Sequence, residues 1–221
     1  MELVNVTTAR VVWLFDIVEL NPRGKTIMPE LLEWLGEEYH FEKSPKSSTD
    51  LDESKALTFS RGTFQAAEEM FVDIEVKIFS DGLVANTASS TRHTEAFLED
   101  VLRSAVEEFS LSFKPQIIRR KLYFSELVVR SSKDIGGINP KVTQLASKIL
   151  EYLPNNIRLP YEFAGVIVAP VQGNSNINIA PFRFERKQNT SPEEQKFYTT
   201  APIHTDEHLS LLEWFEKEFM S

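Results

Sequence analysis

Residues 71–98, FVDIEVKIFSDGLVANTASSTRHTEAFL, change periodicity twice, and those two changes set the fold class. Val72, Ile74, Val76 and Ile78 alternate with Asp73, Glu75 and Lys77, a period of two that turns one face of a strand to a core and the other to water. The Ser80-Asp81-Gly82 turn leads into a second strand-like run, LVANTASS, and so short a connection predicts an antiparallel hairpin. Further on the spacing lengthens to three and four. Phe97, Leu98, Val101, Leu102, Ala105, Val106 and Phe109 draw one broad apolar stripe, with Thr94 as N-cap and Glu95 complementing the helix dipole. A hairpin closed by an amphipathic helix, without βαβ alternation, predicts an α+β fold with a mostly antiparallel sheet and helices packed mainly on one side.

Upstream, RVVWLFDIVEL (10–20) carries apolar side chains on both parities and reads as a central strand. Met28, Leu31, Leu32, Leu35 and Tyr39 fall at helical spacing behind a Thr26 cap, and residues 44–54 read as a surface loop before the strand ALTFSRGTF (56–64). Downstream, RKLYFSELVVR (120–130) reads as a strand. INPKVTQLASKILEYL (138–153) reads as a helix with an Asn139 cap and Pro140 in its first turn. Strands are expected within 161–171, 177–187 and 197–203. A last helix, capped by Thr205, is expected to turn Leu209, Leu212, Phe215 and Phe219 inward.

Residues 10–112 and 120–221 therefore each read strand, helix, three strands, helix. That order predicts an internal duplication of a βαβββα-type unit, 1–114 and 115–221, within one continuous globular domain. HTEAFLEDVL (93–102) and HTDEHLSLLE (204–213) share His93/His204, Thr94/Thr205 and Leu98/Leu209 at an offset of 111. In element order alone the pattern resembles the saddle of TATA-binding-protein-like folds, two halves sharing a curved sheet about a pseudo-twofold. No motif carries that likeness, so it implies nothing about activity.

Composition narrows the function. The chain has no cysteine, which removes disulfides, thiolate nucleophiles and cysteine-held zinc and fits a reducing compartment. A net charge of −9 argues against direct reading of duplex nucleic acid, and the basic run Arg119, Arg120, Lys121 is short enough to be a solvated strand start. With no long apolar stretch and an acid near its start, the chain is expected to be cytoplasmic, without a membrane or signal segment.

Individual motifs point to little chemistry. NPRGKT would be a phosphate loop only with glycine five residues before Gly24, where Glu19 stands. The paired glycines of DIGGINP read as a flexible turn. His204 and His208 lie four apart beside Asp206 and Glu207 and are the metal candidates. HTDEH lacks the glutamate beside the first histidine, so the expected role is solvent-exposed capping sequence and no cofactor is expected. Asp16 and Glu126 each interrupt an apolar run, 110 residues apart, at matching places in the two halves. Brought together they would form a carboxylate pair able to do acid/base work; otherwise they mark the wet face. The wet residues Asp73, Glu75 and Lys77, with Arg183 and Glu185 in the other half, are the candidate binding residues.

The expected function is a non-catalytic protein-interaction or assembly subunit, meeting a protein partner or a second copy through a sheet face or strand edge. The alternatives are a hydrolase or transferase using Asp16 and Glu126, and an acidic mimic of nucleic acid or accessory component of a bacterial or phage system.

Overall fold

The structure, a computed structural model, describes residues 1–21, 24, 28–45, 56–154, 161–171 and 178–220. Among these residues eight strands and four helices follow one another as β1 (Glu2–Leu14), α1 (Met28–Glu38), β2 (Leu57–Ala67), β3 (Met70–Phe79), β4 (Gly82–Thr87), α2 (Thr91–Phe109), β5 (Arg120–Arg130), α3 (Pro140–Tyr152), β6 (Gly165–Val168), β7 (Phe182–Arg186), β8 (Lys196–Ala201) and α4 (Thr205–Phe219). The strands hydrogen-bond in the order β2-β3-β4-β1-β5-β8-β7-β6, and the pairs β1–β4, β2–β3, β3–β4, β6–β7 and β7–β8 are antiparallel. The fold is α+β, as the periodicity implies. Among the described residues no helix is long and apolar enough to cross a membrane. The turn NPRGKT, the Thr26 cap and most of the loop 44–54 fall on or against residues 22, 23, 25–27 and 46–55, outside the described residues.

The chain forms two compact units. The larger holds Thr7–Ser125 with Ile203–Thr205, and the smaller holds Met1–Val6, Glu126–Pro202 and Asp206–Ser221.

In the larger unit the alternating side chains of the strands and the stripes of α1 and α2 meet on one face of the sheet. Val11, Trp13, Phe15, Val72, Ile74, Val76, Leu83 and Ala85 pack there against Leu32, Leu35, Phe97, Leu98, Val101 and Leu102. The Tyr39 ring stands edge-on to Phe97 at 5.0 Å, and its buried hydroxyl donates to Asp100 at 2.8 Å. Burial, then the Asp100 carboxylate, pushes that hydroxyl well above its ordinary pKa. At the hairpin, Phe79 pairs with Gly82, so Ser80 and Asp81 are the two loop residues and Gly82 opens β4. Gly82 is required by proximity: with φ +154°, a Cβ there would stand 2.1 Å from the Trp13 carbonyl oxygen.

In the smaller unit Leu127, Val129, Ile135, Phe184 and Phe197 pack with Leu212, Phe215 and Met220 of the C-terminal segment. Phe184 and Phe197 stack at 4.5 Å across β7 and β8. DIGGINP is a 3-10 turn over Ile135–Ile138 with Ile135 fully buried, where a flexible loop is expected, because an apolar anchor holds it. Phe219, expected inward, is 46% exposed and lies against Phe215 and Trp214 instead.

The element order repeats, but the residue identities between 93–102 and 204–213 do not follow it. Ser90 caps α2 by accepting from the His93 amide at 3.2 Å, so α2 starts at Thr91 and α4 at Thr205. Those two first residues exchange hydrogen bonds, Thr91 N to Thr205 Oγ1 at 3.0 Å and Thr205 N to Thr91 Oγ1 at 2.9 Å, at a separation of 114. The buried positions agree with that offset: Thr91, Thr94, Leu98 and Val101 in α2 match Thr205, His208, Leu212 and Phe215 in α4. The two helix starts are thus offset by 114 residues, not by the 111 of the sequence match. Thr94 is no cap; its buried hydroxyl bonds the Ala9 and Ser90 carbonyls at 2.9 and 3.0 Å.

Candidate functional site

On the side of the larger unit's sheet away from its core, the same alternation that buries Val11, Ile74 and Ala85 turns out Arg10, Glu75 and Asn86. Strand register sets these three directly across from one another, Arg10 opposite Asn86 and Asn86 opposite Glu75. They form a hydrogen-bonded row. Arg10 Nε donates to Asn86 Oδ1 at 2.7 Å, Asn86 Nδ2 donates to Glu75 Oε2 at 3.1 Å, and the Arg10 guanidinium stands 5.8 Å from the centre of the Phe124 ring. Asp73 lies two residues from Glu75 on the same face and opposite Thr63 of β2.

The row floors a concavity of about 800 Å³, lined also by Thr8, Ser60, Thr63, Asp73, Arg61 and Glu42. A register shift in β2 between Phe59 and Gly62 and a left-handed Arg61 (φ 58°) bend this edge. Residues 42 and 43 run beside it, and Arg61 pairs with Glu42 at 3.1 Å. Among the described residues Arg10 is committed only through Nε and its approach to the Phe124 ring, which leaves both Nη groups for a ligand. Asp73 has no hydrogen bond or ion pair among the described residues. A guanidinium held in this way presents a fork that matches a carboxylate, and the two carboxylates on β3 accept from a cation.

Of the residues named from sequence, Asp73 and Glu75 line this concavity and Lys77 continues their face of β3. Arg183 and Glu185 lie on β7 of the smaller unit as an ion pair at 3.7 Å. Arg10 and Asn86 lie apart from Glu75 in sequence, and the pairing register brings them beside it.

Asp16 is not in a strand. It is the exposed N-cap of a 3-10 turn over Ile17–Leu20, where Oδ1 accepts from the Val18 amide at 3.1 Å; the short polar side chain offers the backbone a turn in place of the ladder. Glu126 does lie on β5, half-buried, and hydrogen-bonds the Tyr198 hydroxyl. Burial first, and the Glu126 charge second, push that hydroxyl up to about 12. Each carboxylate thus has its own local partner.

The histidines also depart from expectation. His208 is fully buried, in phase with Leu212 and Phe215, with Nε2 2.9 Å from Thr199 Oγ1. Thr199 spends its one proton on the Arg183 carbonyl at 2.7 Å, so it accepts from His208, which assigns the Nε2–H tautomer. Burial lowers the imidazole pKa to about 4. His204 is half-buried, 3.7 Å from the Tyr123 ring, with Nδ1 3.1 Å from Thr91 Oγ1. Neither ring is free-standing capping sequence. Among the described residues no three His, Asp or Glu side chains converge as a metal site requires.

No protein-family model matches the chain, and no curated protein matches it at a significant level.

Proposed function

We propose that the protein is a non-catalytic interaction subunit that engages a partner polypeptide through the open sheet face of its larger unit. The observation that carries this reading is the Arg10–Asn86–Glu75 row on the floor of the concavity, where polar side chains on three strands hold one another in place away from the core. Pre-ordering lowers the conformational cost of binding. The lining mixes Arg10 and Arg61 with Glu42, Asp73 and Glu75, which fits a protein surface better than the uniform charge of a phosphate backbone.

The test is to pan a random-peptide display library on the immobilised full chain and compare the selected peptides on an Arg10→Ala, Asn86→Ala double variant. Peptides that lose about tenfold or more in affinity on the variant support the reading. No selection, or equal binding to both proteins, overturns it.

A second reading, self-association, rests on the smaller unit, where Ile167 and Val168 of β6 are 55% and 60% exposed on the last strand of the sheet order. Light scattering on wild type and Ile167→Lys at micromolar concentration tests it. A wild-type monomer removes it.

A further inference from the structure

We infer that the partner segment is an extended peptide of mixed charge, seating an acidic group on Arg10 and a basic side chain between Asp73 and Glu75. This rests on the sheet-face reading above and adds to it the chemistry of the occupant.

The cation and the carboxylates of the concavity are kept apart. Arg10 on β1 and Glu75 on β3 are separated by β4, so Asn86 spans the gap and binds both. Their backbones lie two strand spacings apart, about 10 Å, and among the described residues no ion pair joins the two side chains, so each group retains capacity for a ligand. Arg10 keeps both Nη groups. Asp73 keeps its whole carboxylate, and Glu75 accepts from Asn86 through Oε2. Arg61, the other cation in the lining, is paired with Glu42. Among the described residues the groups left open are therefore one guanidinium and two carboxylates, and a ligand with a carboxylate at one end and a cation at the other satisfies both.

Spacing selects a peptide over a compact zwitterion. Asp73 and Glu75 are two residues apart on one strand, about 7 Å along it, which is also the same-side repeat of an extended peptide. A free amino acid holds its two charges only about 3 Å apart, on standard covalent geometry, and once seated between Arg10 and Glu75 it offers nothing to Asp73. A polyamine would meet the carboxylates but be repelled by Arg10. Thr8 of β1 and Thr63 of β2, the latter facing Asp73, place hydroxyls along the same floor to meet peptide amides and carbonyls.

The experiment takes twelve-residue peptides selected from the random library on the full chain and measures their binding by titration calorimetry. The targets are wild type, Arg10→Gln and Asp73→Asn/Glu75→Gln, each first shown to melt as wild type does. The inference expects selected peptides to carry both an acidic and a basic residue. Replacing the peptide's acid by its amide should weaken binding to wild type about tenfold and leave Arg10→Gln unchanged; replacing its basic residue by Gln should do the same against the Asp73/Glu75 variant. Selected peptides that bind the face without such charges, or whose charges do not couple to these residues, overturn the inference and leave the sheet-face reading standing. Failure to select any peptide, or selection of peptides indifferent to all three side chains, overturns both.

Discussion

His208 ties stability to pH in a way that can be worked from its surroundings. The ring is fully buried, donates Nε2–H to Thr199, and meets the edge of Phe182 at 6.3 Å. In the unfolded chain it takes up a proton below about pH 6.5; in the folded chain it stays neutral down to about 4. Between those values the unfolded state binds more protons, so stability falls as pH is lowered through the window and this contribution levels off below it. The gap between those two values corresponds to about 3 kcal/mol, a large share of the total for a domain of ordinary stability. The perturbation is His208→Leu, which removes the titration and leaves the Thr199 hydroxyl donating to the Arg183 carbonyl. Urea unfolding followed by circular dichroism from pH 7.5 to 4 is the assay. Wild type should lose about 3 kcal/mol more than the variant across the window. Parallel losses in the two proteins would refute the assignment of a buried, neutral imidazole.

Other expectations follow from single contacts. Gly82→Ala should cost about 2–4 kcal/mol because its methyl meets the Trp13 carbonyl, whereas Gly24→Ala, also at positive φ but with nothing within 4 Å, should cost about 1 kcal/mol; chemical denaturation separates them. Thr91→Ala strips the acceptor from the buried Thr205 amide and should cost about 1–3 kcal/mol, with Thr91→Ser recovering most of it in the same assay. Glu126→Gln should bring the Tyr198 titration, read by NMR, below 12 but not to the ordinary 10, because burial is the larger cause; an unchanged value would show that the carboxylate does not face the hydroxyl. Asp16→Asn should leave stability unchanged to within about 0.5 kcal/mol, because asparagine caps as well as aspartate, while Asp16→Ala should lower it.

Where one local signal ruled, the sequence was legible. β5 occupies Arg120–Arg130 as its β-branched and aromatic run implies, and Asn139 caps α3 by accepting from the Lys141 amide at 3.1 Å. Where two signals compete, reading along the chain failed. The apolar run through Asp16 favours continued strand, but the carboxylate's bond to the Val18 amide wins and the ladder stops at Leu14. SSTRHT offers several hydroxyl caps to α2; Ser90 takes the role because Thr94 is drawn into the core by the Ala9 carbonyl, a partner 85 residues away. The burial of His208 was within reach, since Thr205, His208, Leu212 and Phe215 repeat at three and four. The candidate site was half legible: alternation exposes Asp73 and Glu75, but their meeting with Asn86 and Arg10 depends on strand register, which is a property of pairing and not of any one segment.

The exchange of hydrogen bonds between Thr91 and Thr205 also bears on how the chain is made. During synthesis α2 emerges long before Thr205 exists, and at about 5–20 residues per second the separation of 114 residues takes on the order of ten seconds to translate. For that interval the Thr91 amide must be satisfied by water, and the larger unit lacks the residues 203–205 that belong to it. Its completion therefore waits until residue 205 has been translated, so a nascent chain halted before that residue would carry a nearly finished sheet with the start of α2 still open.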